Sequence, residues 1–342
     1  MRATELSQPQ PKTQTALPLV SVIIAAYNAE KYIMSTIRSA LRQDYGNFEI
    51  IVVNDGSTDS TLSMLQNIQD PRLTLLSQEN KGVSAARNHA ARYAKGEYFA
   101  LLDADDLWFP NKLSTEVSVA LKAPNPVALF YSNYHCIDED NRYLHTSPRF
   151  TDSGNIFMTL LTQESVMNPS ATLMHRDVFF GTGGFPESIR YHEDKVFFLM
   201  VSKLYPAYPI GTVTAAYRQS VSGKGRRLLS NLTEARQKYS IVEISKTFME
   251  PHEVELNRKL EVQYLFYKLM MNNYFSSAKT LYEEIDKSLL FQNKKGILAF
   301  FSMLLNINLL YRIKQIVQAV SKRQKAAWWE KTSAAIFDEN TI

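Results

Sequence analysis

After a polar start, residues 19 to 102 alternate short apolar runs with segments of helical periodicity. Leu19–Ala26 (LVSVIIAA), Phe48–Val53 (FEIIVV), Arg72–Ser77 and Tyr98–Leu102 (YFALL) predict four strands. Between them, Glu30–Leu41, a segment from about Ser60, and Val83–Ala94 carry helical spacing. Nearly continuous apolar strands are buried on both faces, and strands alternating with helices form a parallel sheet with helices packed on either side. Beyond Pro124 the pattern loosens. It predicts a hairpin around Asp138–Arg142, a helix near Asn155–Leu161, strands over Asn168–His175 and Pro209–Tyr217, and a helix over Glu193–Leu204. After about Ser222 the chain reads as helical. The predicted organisation is a polar tail over 1–17, an α/β domain over 18–222 with a mostly parallel sheet, and a C-terminal helical region over 223–342. Gly223-Lys224-Gly225-Arg226-Arg227 serves as the linker.

Loops leaving the carboxyl ends of parallel strands share one rim, where ligands collect. Here those loops are Tyr27-Asn28-Ala29-Glu30, Asn54-Asp55-Gly56-Ser57-Thr58-Asp59 and Asp103-Ala104-Asp105-Asp106. Crowded carboxylates repel one another unless a cation lies among them. Asp103 and Asp105, one residue apart at a strand end, suit a hard divalent cation, Mg2+ or Mn2+, with positions left for a diphosphate. The same three aspartates also read as an acidic turn ahead of a helix near Asn111. Asp55 offers an acceptor for the imide nitrogen of uracil, and Gly56 permits close backbone approach. An Asp-Gly turn with Asp59 capping the next helix accounts for the same residues. Lys81-Gly82-Val83-Ser84-Ala85-Ala86-Arg87-Asn88 opens a helix on which Lys81 and Arg87 suit diphosphate charge; an Ala-rich packing helix with a surface arginine is the alternative.

Composition narrows the classes. An apolar fraction of 45% with 21% charged residues excludes global disorder, and a formal charge of +4 gives nucleic acid binding no support. The single cysteine, Cys136, excludes an intramolecular disulfide and reads as a small buried hydrophobe in a reducing compartment. Residues 1–17 lack the apolar core of a signal peptide, so a cytoplasmic location is expected.

Taken together, these stretches resemble a known family. VSVIIAAYNAEKYI, VVNDGSTDST, NKGVSAARNHA and YFALLDADDLW occur in the order and approximate spacing of family 2 glycosyltransferases. Downstream, GGFPE (Gly183–Glu187) and YHEDKVFFLMVSK (Tyr191–Lys203) resemble that family's acceptor loop and Glu-Asp helix. The resemblance covers roughly residues 18 to 220. It implies a GT-A fold, Rossmann-like, and inverting transfer of a sugar from a nucleotide-diphosphate donor of UDP type to an acceptor hydroxyl. Carried over residue by residue, it implies Tyr27 and Asn28 in the nucleoside pocket, Glu30 near the ribose or base, and Asp55 at the uracil. Arg87, with Lys81, would face the diphosphate or donor sugar, Asp103 the ribose or donor sugar, and Asp105 the metal. Gly183, Gly184 and Phe185 would form the acceptor loop, Asp194 would be the catalytic base, and Glu193 its neighbour in the acceptor pocket. The chemistry is coherent, because a leaving diphosphate needs its charge neutralised and the acceptor hydroxyl needs a base on the opposite face. Charges favoured at a helix N-terminus are the plainer account of Glu193 and Asp194.

One departure stands out. Many family members carry Tyr-Arg-x-His after the last core strand. Tyr217-Arg218-Gln219-Ser220 puts Ser220 in the histidine's place, which leaves Arg218 or Lys224 as diphosphate partners. In the C-terminal region, Leu298–Tyr311 is apolar but short of a bilayer span, and Arg312, Lys314, Lys322, Arg323, Lys325, Trp328 and Trp329 follow it. That combination suits peripheral contact with an anionic membrane surface on the inner face of the plasma membrane, and equally a helical core with a solvated basic face. The family most often implies cell-surface polysaccharide or lipid-linked oligosaccharide assembly, hence a glycan or lipid-linked acceptor. The competing classes are a nucleotidyltransferase, which needs a glycine-rich, lysine-bearing loop where Tyr27–Glu30 stands, and a non-catalytic nucleotide-binding scaffold.

Overall fold

A computed structural model describes residues 17–147, 150–162, 167–219 and 242–271. The expectations for residues 1–16, Ser220, Lys224, most of the C-terminal region and its apolar and basic segments lie outside the described residues.

The first four predicted strands are present as β1 (Val20–Ala26), β2 (Phe48–Asp55), β3 (Leu73–Gln78) and β4 (Tyr98–Leu101). Between them run α1 (Ile33–Leu41), α2 (Thr61–Gln66) and α3 (Val83–Tyr93). There follow β5 (Leu107–Trp108), α4 (Lys112–Ala120), β6 (Leu129–Ile137), β7 (Tyr143–Thr146), α5 (Phe157–Thr162) and a 3-10 turn over Pro169–Ala171. The chain continues with β8 (Thr172–His175), α6 (Arg176–Gly181), α7 (Glu193–Leu204), β9 (Ala207–Arg218), α8 (Val242–Ser245) and α9 (Pro251–Met271). The nine strands form one sheet in the order β3-β2-β1-β4-β8-β6-β9-β5, with β7 paired to the last residues of β6.

Pairing is parallel through β3-β2-β1-β4 and between β6 and β9, and antiparallel where β8, β7 and β5 join. The alternating pattern therefore predicts the parallel half well. β6 escaped the sequence reading because Ser132, Asn133 and His135 interrupt its apolar run. Two of these polar groups are satisfied across the sheet: Ser132 Oγ pairs with Thr214 Oγ1 at 2.5 Å, and His135 Nδ1 with Thr146 Oγ1 at 2.9 Å. The predicted hairpin is the β6–β7 turn, closed by the Asp138 amide donating to the Arg142 carbonyl.

Side-chain alternation along the central strands feeds two cores. Ile23, Ile51, Val53, Phe99 and Leu101 face one, filled by Ala86 and Ala90 of α3, Phe179 of α6, and Val196, Phe197 and Leu199 of α7. Val22, Ile24, Ile50, Val52 and Ala100 face the other, filled by Ile33 and Ile37 of α1 and Leu113 and Val117 of α4. Burial on both faces is why these strands carry no polar alternation. On α7, Lys203 pairs with Glu253 of α9. No helix among the described residues is long and apolar enough to cross a membrane.

Below the rim, α4 carries a fully buried ion pair. Lys112 Nζ lies 2.6 Å from Glu116 Oε2 and over the Trp108 ring, while Glu116 Oε1 accepts from Thr214 Oγ1. A buried pair is retained only while both charges are matched, and removing one partner strands the other. Lys112→Met is expected to cost about 3 to 5 kcal/mol in urea unfolding. Lys112→Met with Glu116→Gln should recover part of that loss, and a double variant as unstable as the single one would show that the charge is not the cause.

Candidate active site

Parallel register brings the strand ends together. Ala26 stands beside Asn54, Asp55 beside Gln78, and Ile23 beside Leu101, so the three acidic or polar loops emerge on one rim. The first two loops clamp each other. Asn28, at φ 48°, accepts from the Thr58 amide at 2.8 Å and donates its own amide to Ser57 Oγ. Glu30 Oε2 accepts from the Ser60 amide, and Asp59 Oδ2 accepts from the Glu30 amide. Asp59 Oδ1 also accepts from the Thr61 amide, the first of α2, but the N-cap position is held by Ser60 and not by Asp59 as the sequence suggests. Asn28 and Glu30 thus shape the rim, while the ring of Tyr27 is left 49% exposed at its edge.

Asp55 is buried and its carboxylate is occupied within the protein. Oδ1 accepts from Gln78 Nε2 and the Lys81 amide, and Oδ2 accepts from the Gly82 amide. Gln78 is itself held by His89 Nδ1 at 2.7 Å from its Oε1. Asp55 therefore fixes the loop that starts α3, a role its Asp-Gly neighbourhood did not signal. The Lys81 side chain is exposed above it.

Arg87 is not a surface arginine. It is buried, donates to Asp103 Oδ1 at 2.6 Å and Glu193 Oε1 at 3.1 Å, and stacks over the Phe185 ring at 4.7 Å. Burial alone would lower its pKa, but Asp103 and Glu193 outweigh that and the net direction is up. The next residue, Asn88, holds the Gly183–Glu187 loop. Its Oδ1 accepts from the Phe185 amide, and its Nδ2 donates to the Phe185 carbonyl and to Glu187 Oε1, each at 2.8 Å. Phe185 in turn stacks on Phe197 of α7 with ring centroids 4.1 Å apart. One helix therefore binds the end of β4, the Gly183–Phe185 loop and the start of α7 together.

The loop between β4 and β5 is held from below. Asp106, fully buried, accepts from Ser170 Oγ at 2.6 Å and from the Arg218 amide at 2.8 Å. Arg218 Nε donates to the Asp105 carbonyl, and its guanidinium lies 4.2 Å from the Tyr32 ring centroid. Burial, then the charges of Asp105 and Asp103, push the Asp106 carboxyl well above the usual carboxylate range. Asp105 differs. Its surface is open to solvent and its carboxylate accepts no hydrogen bond from another described residue. The protein packed around that carboxyl and the neighbouring Asp103 push it up to about 6. Glu193 and Asp194 open α7 after His192, which has φ 60°. Burial raises both carboxyls, with Arg87 offsetting part of the shift. Asp194 Oδ1 accepts from the adjacent Lys195 amide.

Among the described residues no group of three or more His, Cys, Asp or Glu side chains forms a metal cage. The donor set nevertheless fits a cation that shares a diphosphate. Asp105 offers an uncommitted, electrostatically strained carboxylate, and a cation beside it would relieve the repulsion from Asp103. Cys136 is buried, with its thiol pushed up to about 12 by burial, and has no part in the rim.

The fold and rim define a GT-A α/β protein. A crystal structure of S. aureus TarS superposes with TM-score 0.52 at 22% identity over 72% of this chain and 43% of that one. A second, of TarS residues 1–349 with UDP, gives 0.50 at 22% over 73% and 71%. The family model "Glycosyl transferase family 2" matches residues 21–180. An uncharacterised glycosyltransferase of Haemophilus influenzae is 32% identical over 54% of this chain and 71% of its own length. The Escherichia coli UDP-Glc:alpha-D-GlcNAc-diphosphoundecaprenol beta-1,3-glucosyltransferase WfgD is 34% identical over 47% and 67%. The chain belongs to glycosyltransferase family 2. It spans 63% and 30% of the length of two further matches, from Rickettsia typhi and Rickettsia bellii.

Sequence reasoning missed Asn88, Gln78, Asp106 and Ser170, all polar residues that act on other protein groups. The pattern predicts a strand over Asn168–His175, but Pro169–Ala171 form a 3-10 turn and the strand begins only at Thr172, which hid the place of Ser170.

The two glycines of the Gly183–Glu187 loop are separable. Gly183 and Gly184 have φ 82° and 79°, but a Cβ at Gly184 would meet Asn88 Oδ1 at 2.6 Å, whereas one at Gly183 would meet open space. Gly183→Ala is expected to cost about 1 to 2 kcal/mol from backbone strain, and Gly184→Ala about 1 to 3 kcal/mol more from the clash. Denaturant unfolding ranks them, and equal costs would mean that Asn88 yields freely.

Proposed function

We propose that the protein is an inverting glycosyltransferase that moves a sugar from a nucleotide-diphosphate donor of UDP type to an acceptor hydroxyl, with Mn2+ or Mg2+ at Asp105. The carrying observation is the division among carboxylates on one rim. Asp103 and Glu193 share the single charge of Arg87 and Asp106 is sealed beneath, which leaves Asp105 and Asp194 to act. The cation supplies charge neutralisation for the departing diphosphate.

The chain's own residues would do the rest. The clamped loops of Tyr27–Glu30 and Asp55 form the nucleoside end, with Tyr27 offering an exposed ring and Lys81 a cation above the loop start. Asp194 takes the acceptor hydroxyl proton as the acceptor oxygen bonds to the anomeric carbon and the bond to the diphosphate breaks. Glu193 and the loop held by Asn88 orient the acceptor from the same side. The products are the inverted glycoside, the nucleoside diphosphate and a proton on Asp194. A lipid-linked glycan diphosphate is the proposed acceptor class, in line with the acceptor named for the Escherichia coli relative. Such an acceptor fits peripheral contact with the inner face of the plasma membrane through residues after 222, with residues 18–222 as the catalytic domain.

Binding is tested first. UDP with Mn2+ at about 100 times its Kd should stabilise the native state by about 2.7 kcal/mol in thermal unfolding. Asp105→Ala should abolish the metal-dependent part while the protein stays folded, and no shift in the parent protein would favour a scaffold without nucleotide. The base is tested by rate. Asp194→Asn should keep donor binding and lower transfer by about 10²- to 10⁴-fold. Because burial raises the Asp194 carboxyl above its ordinary 3.8, and the charged form is the active one, activity should rise with pH through a midpoint above that value. A rate already flat from about pH 4 upward would remove Asp194 from the role.

A further inference from the structure

We propose that Ser170 is a positioning residue for the cation- and diphosphate-facing loop, acting as the keystone of a buried lock beneath Asp103–Asp106. The inference rests on the reading of Asp105 as the metal-facing carboxylate.

Ser170 is fully buried in the 3-10 turn before β8, and each of its polar atoms is used. Its hydroxyl accepts from the Asp103 amide at 3.0 Å and donates to Asp106 Oδ2 at 2.6 Å. Its carbonyl accepts from Trp108 Nε1 and its amide donates to Asn168 Oδ1, both at 2.8 Å. From Asp106 the chain of bonds runs to the Arg218 amide and from Arg218 Nε to the Asp105 carbonyl. Thr36 Oγ1, on α1, reaches the carbonyls of Ala104 and Asp106 at 3.0 and 2.8 Å. The four residues of the loop are thus fixed by three buried residues, Ser170, Thr36 and Arg218, each from a different part of the fold.

A tight turn does not require this. The Asp106 amide already closes the loop onto the Asp103 carbonyl at 3.1 Å. A buried carboxylate is costly unless fully hydrogen-bonded, so Asp106 is an expensive way to stabilise a turn. What the lock adds is orientation: with the backbone held from below, only the side chains of Asp103 and Asp105 project to the rim. Reacting groups displaced by about 1 Å lose on the order of a hundredfold in rate, which is the scale on which such a frame acts.

The test uses the full chain and two probes read by titration calorimetry, UDP with Mn2+ and uridine alone. Ser170→Ala should weaken UDP in Mn2+ by about tenfold or more and raise the Mn2+ concentration for half-saturation, with uridine affinity unchanged. If that variant does not fold, Ser170→Cys keeps the shape with a much weaker hydrogen-bonding group and should shift the same two values. Thr36→Val, which removes the second set of loop bonds at similar volume, should act in the same direction. Parent-like binding of UDP with Mn2+ by Ser170→Ala would overturn the proposal. So would an equal loss for both probes, since that marks a general structural role. A parent protein that binds UDP without any response to Mn2+ would instead bring down the metal reading and the lock's purpose with it.

Discussion

A buried guanidinium with two carboxylates on it is the constraint around which the rest of the rim is arranged. Arg87 is taken out of water at the start of α3, where an unmatched charge would be very costly, and it is matched by Asp103 from the end of β4 and Glu193 from the start of α7. Those partners come from different elements, one a strand end and the other a helix start. The ion triad therefore sets the spacing between the strand that ends in the acidic loop and the helix that carries Asp194. Phe185 covers the guanidinium face and passes the contact on to Phe197, so the charge cluster is roofed by aromatic packing.

The rim divides its polar groups into those that hold the protein and those left to meet a ligand. Asn28, Glu30, Asp55 and Asp106 are all acceptors of internal hydrogen bonds. Asp105, Tyr27 and Lys81 are left facing outward. Preorganisation of this kind puts the cost of ordering into the folded state, so that less is left to be met when a ligand arrives.

Much of this was legible in the sequence, for physical reasons that also explain what was not. β1, β2 and β4 are buried on both faces, so their apolar runs and the loops after them announce a parallel sheet and its rim. β6 is also buried, but it crosses a polar network with Thr214 and Thr146, so its serine, asparagine and histidine hide it. At the site, residues whose chemistry is unusual, such as Asp103, Asp105, Glu193 and Asp194, stand out by type. Ser170, Gln78 and Asn88 are ordinary residues made important by partners as far as 99 positions away, and no local pattern encodes such pairings. Arg87 shows the opposite case: its importance was visible, but its burial was not, because an Ala-rich helix does not say which face it turns inward.

Arg87 and Asn88 are consecutive on α3, so they point about 100° apart. One serves the charge triad and the other the loop from Gly184 to Glu187. A single inserted residue upstream in that helix would rotate both away from their partners at once, whereas changes between Glu187 and Tyr191 leave both anchors standing. The outer span of the loop is thus free to vary in sequence and length, while the helix beneath must keep its phase.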